Sequence, residues 1–408
     1  MGAVLPVARP EVLVVGAGPH GLTAALYLLK ADPGLAGRIL VADPQPWLAA
    51  WDGAFRRLEL ARLRSASVHH PHPRPFELLE HARATGRSRE LAGPIGSPST
   101  GLFADFCRRL VADADLEAAR VPAMVTALRP RSDGRVDADV GGQRVRATSV
   151  VLAVNPARAV RPSAVRRRSA ALHGDDVRLD AVRRGDRVAV LGGALTAAHL
   201  ALRAADRGAR VHLVARQPLR ARLTDAEAGW LGNLLPDFLL LPPQERLAQV
   251  QSARRGTVPP LVRDAVRRHP LITLITRPVR QVERDAVVLA GGRRLPADHV
   301  WLATGHRFDA RDCALTADLL EHVPVPLVDG LPVLDDHLSW GGTAVHVTGG
   351  LAALSVGPTA RNLVGARIAA ERWTACVTGS PLPSLQYPAC GDGASAGKAA
   401  GVLEAIAD

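Results

Sequence analysis

Residues Glu11 to Asp43 constrain this chain more than any other stretch. An apolar strand, Val12-Leu13-Val14-Val15, runs straight into Gly16-Ala17-Gly18-Pro19-His20-Gly21-Leu22, a G-x-G-x-x-G turn. An apolar-periodic helix follows through Ala24, Ala25, Leu26, Leu28 and Leu29, and a second apolar run from Arg38 to Ala42 ends at Asp43. Glycines alone mark ordinary tight turns. Strand, turn, helix, second strand and terminal acid together define a βαβ unit. Its glycines admit a pyrophosphate to the helix N-terminus, and its acid is placed for a ribose hydroxyl. The stretch predicts a dinucleotide site on Gly16, Gly18, Pro19, Gly21 and Asp43.

A second unit begins at Asp186. Arg187 to Leu191 reads as a strand, Gly192-Gly193-Ala194-Leu195-Thr196-Ala197-Ala198 as the turn, and the helix runs on through Ala205 to Gly208. The next strand, Ala209 to Ala215, ends at Arg216 rather than at an acid. Arginine there suits a 2′-phosphate and favours NADPH over NADH, with Gly192, Gly193, Thr196 and Arg216 as candidate contacts. Ala194 puts a methyl where the middle glycine would let a pyrophosphate approach. Two such units in one chain have a direct chemical use. One holds a flavin and the other brings a nicotinamide to it, since hydride transfer needs the two rings in contact.

The fold expected is therefore α/β, with two Rossmann-like dinucleotide-binding domains, the FAD domain being split by an inserted NADPH domain. Residues 1–160 form the first part of the FAD domain, and 161–300 the NADPH domain with a helical insertion over 224–269. Residues 301–375 return to the FAD domain, and 376–408 form a tail with a short last helix from Val402 to Ala407. Leu102 to Val111 reads as a helix capped by Ser99 or Thr100. Ala123 to Leu128, Val136 to Val140 and Arg144 to Val154 read as strands closing the first half.

The formal charge of +12 invites a nucleic-acid reading, which the distribution of residues opposes. Lysine occurs only at Lys30 and Lys398, the arginines are scattered, and six Phe with two Tyr leave little for base stacking. The bias looks like that of a GC-rich genome. An anionic substrate or phosphorylated cofactor remains compatible with it. No apolar run reaches membrane-spanning length and the start lacks a basic leader pattern, so a soluble, cytoplasmic protein is expected. Oligomeric state is not legible. Cys107, Cys313, Cys376 and Cys390 lack C-x-x-C spacing, which argues against a redox dithiol or a thiolate metal site. His69, His70 and His72 sit among prolines without a spaced acid or cysteine, so no metal is expected. His70 or His72 is left as either a hydrogen-bonding partner of cofactor or substrate, or a satisfied or solvent-facing histidine.

Three further features carry a resemblance. Gly16-Ala17-Gly18-Pro19-His20-Gly21-Leu22 is similar to a G-x-G-P flavin motif. Asp298-His299-Val300-Trp301-Leu302-Ala303-Thr304-Gly305-His306 matches D-x-x-x-L-A-T-G-Y, with histidine for the final tyrosine. Gly357-Pro358-Thr359-Ala360-Arg361-Asn362-Leu363 resembles a C-terminal turn that contacts FAD. Together, over roughly residues 10 to 373, they resemble the class B flavoprotein monooxygenases, more closely the lysine and ornithine N-hydroxylase type and related bacterial FAD/NAD(P)-binding hydroxylases of secondary metabolism. The resemblance implies FAD at the first turn, with Trp51, Arg64 and Ser65 passing beside flavin and substrate. Thr304, Gly305, Gly357, Thr359 and Asn362 join the cofactor contacts, and Arg64, His70 and Asn362 become candidates for catalysis. Asn362 has a competing reading as a helix cap.

The implied activity is NADPH-consuming hydroxylation of a small molecule by O₂ through a C4a-hydroperoxyflavin, on an amine nitrogen or a heterocycle carbon. A Baeyer–Villiger fingerprint is not found around His173-Gly174-Asp175-Asp176. Thr348-Gly349-Gly350 lacks the Gly-Asp pair of disulfide-reductase relatives. Two alternatives stay open: an NADPH-dependent flavin oxidoreductase without oxygen insertion, and a non-catalytic flavin-bound redox sensor.

Overall fold

The structure is a computed structural model and describes residues 10–165, 169–254 and 256–380. The expected last helix and Cys390 lie outside the described residues. Two parallel five-stranded sheets carry the fold. In the first, the strands lie in the order Val345–Val347, Ser149–Leu152, Val12–Val15, Ile39–Ala42, Arg120–Val121. In the second the order is Leu172–His173, His299–Leu302, Arg187–Leu191, Arg210–Ala215, Ile272–Thr276. The central strands of both sheets are near-continuous runs of Val, Leu, Ile and Ala buried on both faces, as parallel sheets covered by helices require. The α/β class with two dinucleotide-type units is the one the sequence predicts.

The halves repeat one plan. Each runs strand, glycine turn, helix, strand, and later inserts a three-stranded antiparallel meander before its third central strand. In the first half the meander is Val125–Pro130, Val136–Val140 and Gln143–Ala147; in the second it is Val279–Val282, Ala286–Leu289 and Arg294–Pro296. The run Arg144 to Val154, expected as one strand, is thus two, turned at Thr148 so that Ser149–Leu152 can leave the meander and join the sheet. The capped helix spans Thr100–Asp113, and the Ser99 hydroxyl accepts from Leu102 N at 3.0 Å.

Two junction strands join the halves, Ala157–Ala159 pairing antiparallel with His306–Phe308. The second sheet's own strand runs to Leu302, and the junction strand begins at His306. Residues 224–269 contain helices, as expected, at Leu235–Leu240, Pro243–Ala253 and Pro260–Arg268. Their buried side chains divide. Trp230, Phe238 and Val250 join the apolar core of the first sheet, whereas Val258 and Val266 join that of the second. Trp230 and Phe238 meet edge to face with centroids 5.5 Å apart, a geometry that adds to simple burial. The segment therefore bridges the two halves.

Candidate functional site

Register brings the carboxyl ends of the strands together. Val15 pairs with Ala42 on one side and Leu152 on the other, and Leu152 pairs with Val347. Gly16, Asp43, Ala153 and Thr348 consequently emerge side by side at one edge of the first sheet, the edge where open α/β sheets take ligands. Gly16 has φ +112°, and a side chain there would meet Ala153 O at 2.7 Å. At Gly21 a Cβ would lie 1.8 Å from Gly16 O, so only glycine lets the turn close on its helix. Gly18 differs. It caps the helix Pro19–Ala31 with extended backbone, and a Cβ there would meet nothing within 4 Å. Pro19 follows as the first helical residue, where its missing N–H costs nothing. Asp43 accepts from Ala17 N at 2.8 Å and from Gln45 N at 2.7 Å, which aims the carboxylate at the turn.

The sequence reading did not single out His20. Its Nδ1 lies 2.9 Å from Thr348 Oγ1, and burial lowers its pKa to about 4, so the imidazole is neutral. The position within G-x-G-P-H-G was the only available signal.

The second turn repeats the arrangement. Leu191 pairs with Val214 and Leu302, so Gly192, Ala215 and Ala303 emerge together, with Arg216 one residue beyond. Ala194 caps the helix Leu195–Asp206. A Cβ on Gly256 would lie 2.6 Å from the Ala194 methyl, so that methyl rests against a residue without a side chain. Gly193 packs against Ala215, Thr196 is half-buried, and Arg216 is exposed with no ion-pair partner among the described residues.

Other predicted residues are placed differently. Arg64, expected beside flavin and substrate, has its guanidinium enclosed by the loop Arg222–Asp225 and by Thr257. It donates to the carbonyls of Arg222 (2.8 Å), Leu223 (3.2 Å), Thr224 (2.8 Å) and Thr257 (3.0 Å), to Thr257 Oγ1 (2.7 Å), and to Asp225 Oδ1 (2.6 Å). Its donors are thus used within the protein. His70 belongs to the core: Nε2–H donates to Pro75 O at 3.1 Å, and the ring stands edge-on to Phe106 at 5.2 Å. Trp51 packs on Phe55 and Phe103 at 4.6 and 5.1 Å. Ser65 is half-buried beside Arg64. Thr304 donates to Val160 O, and Gly305 O accepts from Val160 N at 3.0 Å, so both hold the junction strands.

Gly357 (φ +84°) faces Leu235 and Trp230, and Thr359 is buried. Asn362 is the N-cap of the helix Leu363–Thr378 by position, but its side chain makes no capping bond. Arg254 donates to Pro358 O at 2.7 Å, and its pKa falls to about 9 through burial and the nearby Arg361. Arg361 itself lies over the Phe308 ring at 5.9 Å. Gly256 thus touches the second turn, and Arg254 the closing turn of the first half.

Burial holds four histidines neutral: His20, His69 and His199 are lowered to about 4 and His70 to about 3. Their folded pKa values lie below the unfolded value, so the unfolded chain binds more protons between about pH 4 and 6.5. Stability is expected to be full above pH 6.5 and to fall as pH drops through that window. The buried His70 alone contributes a slope of about 1.4 kcal/mol per pH unit. Urea midpoints at pH 7 and pH 5 check this; equal midpoints would show that these rings are not held neutral.

The FAD-NAD(P)-binding family matches residues 13–156, the first half up to the junction. No curated protein sequence matches the chain. Among solved structures it is similar to the ornithine N-hydroxylase of Kutzneria sp. 744 in complex with reduced FAD, NADP⁺ and L-ornithine, at 18% identity and TM-score 0.73 over 90% of this chain and 99% of that one. It is also similar to the FAD-bound cadaverine monooxygenase of the desferrioxamine pathway of Erwinia amylovora (16%, 0.72, covering 92% and 96%). A third similar structure is the L-lysine 6-monooxygenase of Pseudomonas syringae (18%, 0.69, covering 90% and 99%). The chain thus has the fold of the amine N-hydroxylating flavin monooxygenases along nearly its whole described length. The resemblance read from its motifs holds at the level of that fold.

Proposed function

We propose that this chain is an FAD-dependent, NADPH-consuming monooxygenase that hydroxylates a small amine with O₂. The observation that carries the proposal is the strap contributed by Arg254, Gly256 and Thr257: Gly256 meets Ala194 at the second turn and Arg254 donates to Pro358 O at the closing turn of the first half, which ties the two turns together. The residues present fit the groups. At the first turn, Gly18 offers an unobstructed approach to a helix N-terminus, and Asp43 is already aimed at the turn. At the second, Arg216 is an exposed cation, without an ion-pair partner among the described residues, just past the strand end where a 2′-phosphate would lie. The fold shared with three amine-hydroxylating enzymes supports the same reading.

Bound flavin supplies the hydride acceptor and the activation of dioxygen. The chain does the rest. The first turn's N–H groups hold the pyrophosphate, and Asp43 orients the ribose. Arg64 fixes the strap by its donations to the Arg222–Asp225 loop and Thr257, which would hold the second turn in place for its coenzyme. Neutral His20 presents a hydrogen-bonding ring beside Thr348. Phosphate selection by Arg216 has a clear consequence. Arg216→Ala is expected to raise the KM for NADPH roughly tenfold or more while leaving that for NADH nearly unchanged, about 1.4 kcal/mol of coenzyme discrimination. Steady-state kinetics with both coenzymes check it.

The reaction class is tested with flavin-loaded protein, NADPH, air and a panel of small primary amines and diamino acids. Oxygenated amine formed in proportion to NADPH consumed is the expected result. NADPH oxidation yielding only hydrogen peroxide with every amine would overturn the hydroxylase reading in favour of a flavin oxidoreductase.

A further inference from the structure

One cluster of side chains has no part in the reaction just described. His173 ends a strand of the second sheet, Asp175 lies two residues on, and His306 opens the junction strand that returns to the first half. His306 is also the position where the resembling motif has tyrosine. We infer that His173, Asp175 and His306 bind one divalent transition-metal ion of the zinc type. The inference stands independently of the cofactor reading.

Each residue offers one ligand atom, and the three atoms lie within 4.8 Å of one another. Asp175 Oδ2 is 2.6 Å from His306 Nε2 and 3.1 Å from His173 Nδ1. Ligand atoms around a tetrahedral zinc stand about 3.3 Å apart, so the two contacts of the Asp175 carboxylate need only widen slightly to take the ion between them.

A second observation concerns His173 itself. A neutral imidazole has a single N–H, yet both ring nitrogens face oxygen acceptors: Asp175 Oδ2 at Nδ1 and Gly305 O, 3.3 Å away, at Nε2. A neutral ring can satisfy only one of the two. Asp175 N, 3.4 Å from Nδ1, favours the tautomer with its proton on Nε2, facing the Gly305 carbonyl, the arrangement that orients metal-binding histidines elsewhere. In that tautomer the Nδ1 lone pair faces a carboxylate oxygen, and a cation between them removes the conflict.

The surroundings agree. Arg57 Nη2 stands 3.8 Å from the other carboxylate oxygen, Oδ1, and holds the group in orientation. His173 is buried while the side chains of Asp175 and His306 are 50% and 29% exposed, so an ion can enter and a water can complete the shell. Two imidazoles and a carboxylate suit zinc and its neighbours better than magnesium or calcium, which prefer all-oxygen shells. Bound there, the ion would fasten the junction strand to the loop at Gly174, which packs against Thr196 and Leu200 of the second-turn helix.

The test uses the tag-free full chain with its flavin, stripped with chelator and titrated with Co²⁺ and then Zn²⁺. Expected are visible bands of tetrahedral Co²⁺ at wavelengths beyond the flavin spectrum, their displacement by one equivalent of Zn²⁺, and a rise in Tm with Zn²⁺. His306→Tyr and Asp175→Asn should each weaken binding at least about tenfold with unchanged flavin content and far-UV spectrum. His306→Gln provides a third variant should Asp175→Asn fold poorly. Absence of saturable binding would overturn the inference. So would affinity unchanged in the His306 variants, which would show an adventitious ion only.

Discussion

Gly18→Ala leaves the apoprotein as stable as the parent and weakens its flavin binding about ten- to a hundredfold, or about 1.4–2.8 kcal/mol. The two halves of that result have separate causes. A Cβ on Gly18 meets no protein atom within 4 Å, and its backbone, at φ −76°, suits any L residue, so the folded chain has no objection to the methyl. The open space it enters is the N-terminus of the helix Pro19–Ala31, where backbone N–H groups and the helix dipole favour a pyrophosphate. Gly21→Ala is the contrasting case. Its methyl would fall on Gly16 O, so the turn itself must distort, and both thermal stability and flavin content decline. Thermal melts of the two apoproteins and flavin titration by fluorescence quenching separate these effects. Flavin bound by Gly18→Ala as tightly as by the parent would place the pyrophosphate elsewhere.

Arg64→Ala is expected to destabilise the protein by about 3–5 kcal/mol. The side chain is only 10% exposed and supplies donors to four backbone carbonyls, one hydroxyl and one carboxylate. Truncation strands those oxygens with partial access to water, which costs more than the lost bonds alone. Lysine recovers little, because an ammonium radiates three donors from one point and cannot match a planar fork with donors on three nitrogens. The strap that Arg64 holds also borders Ala194, so the folded fraction should show a raised KM for NADPH with flavin retained. Chemical denaturation and coenzyme kinetics check the two parts. Unchanged stability in Arg64→Ala would mean that the enclosing loop does not depend on it.

The first turn was legible because its chemistry is local. A strand, three glycines, a helix and an acid within about thirty residues leave few other structures for the chain, and Gly16, Gly21 and Asp43 take the positions their types require. The enclosure of Arg64 was not legible, for the opposite reason. Its acceptors lie 158 to 193 residues away, and nothing near Leu63 announces them. His70 looked chemical among its prolines, but the packing of Phe106 decides its role, and that ring comes from a helix whose face toward the loop cannot be read beforehand. Trp230 and Phe238 were evident as apolar residues of an insertion. Which of two cores would bury them depends on how the halves meet. The same limit hid the pairing of Asp175 with His306, 131 residues apart, although the departure from tyrosine at His306 was visible.

The most direct test of the central claim is an anaerobic titration of the flavin-loaded protein with NADPH under spectral recording. Two facing dinucleotide sites predict full bleaching of the flavin band by about one equivalent of NADPH, faster than by NADH, with colour restored on admitting oxygen. A flavin that stays oxidised with either coenzyme would contradict the account, because the second turn would then carry no nicotinamide to the first.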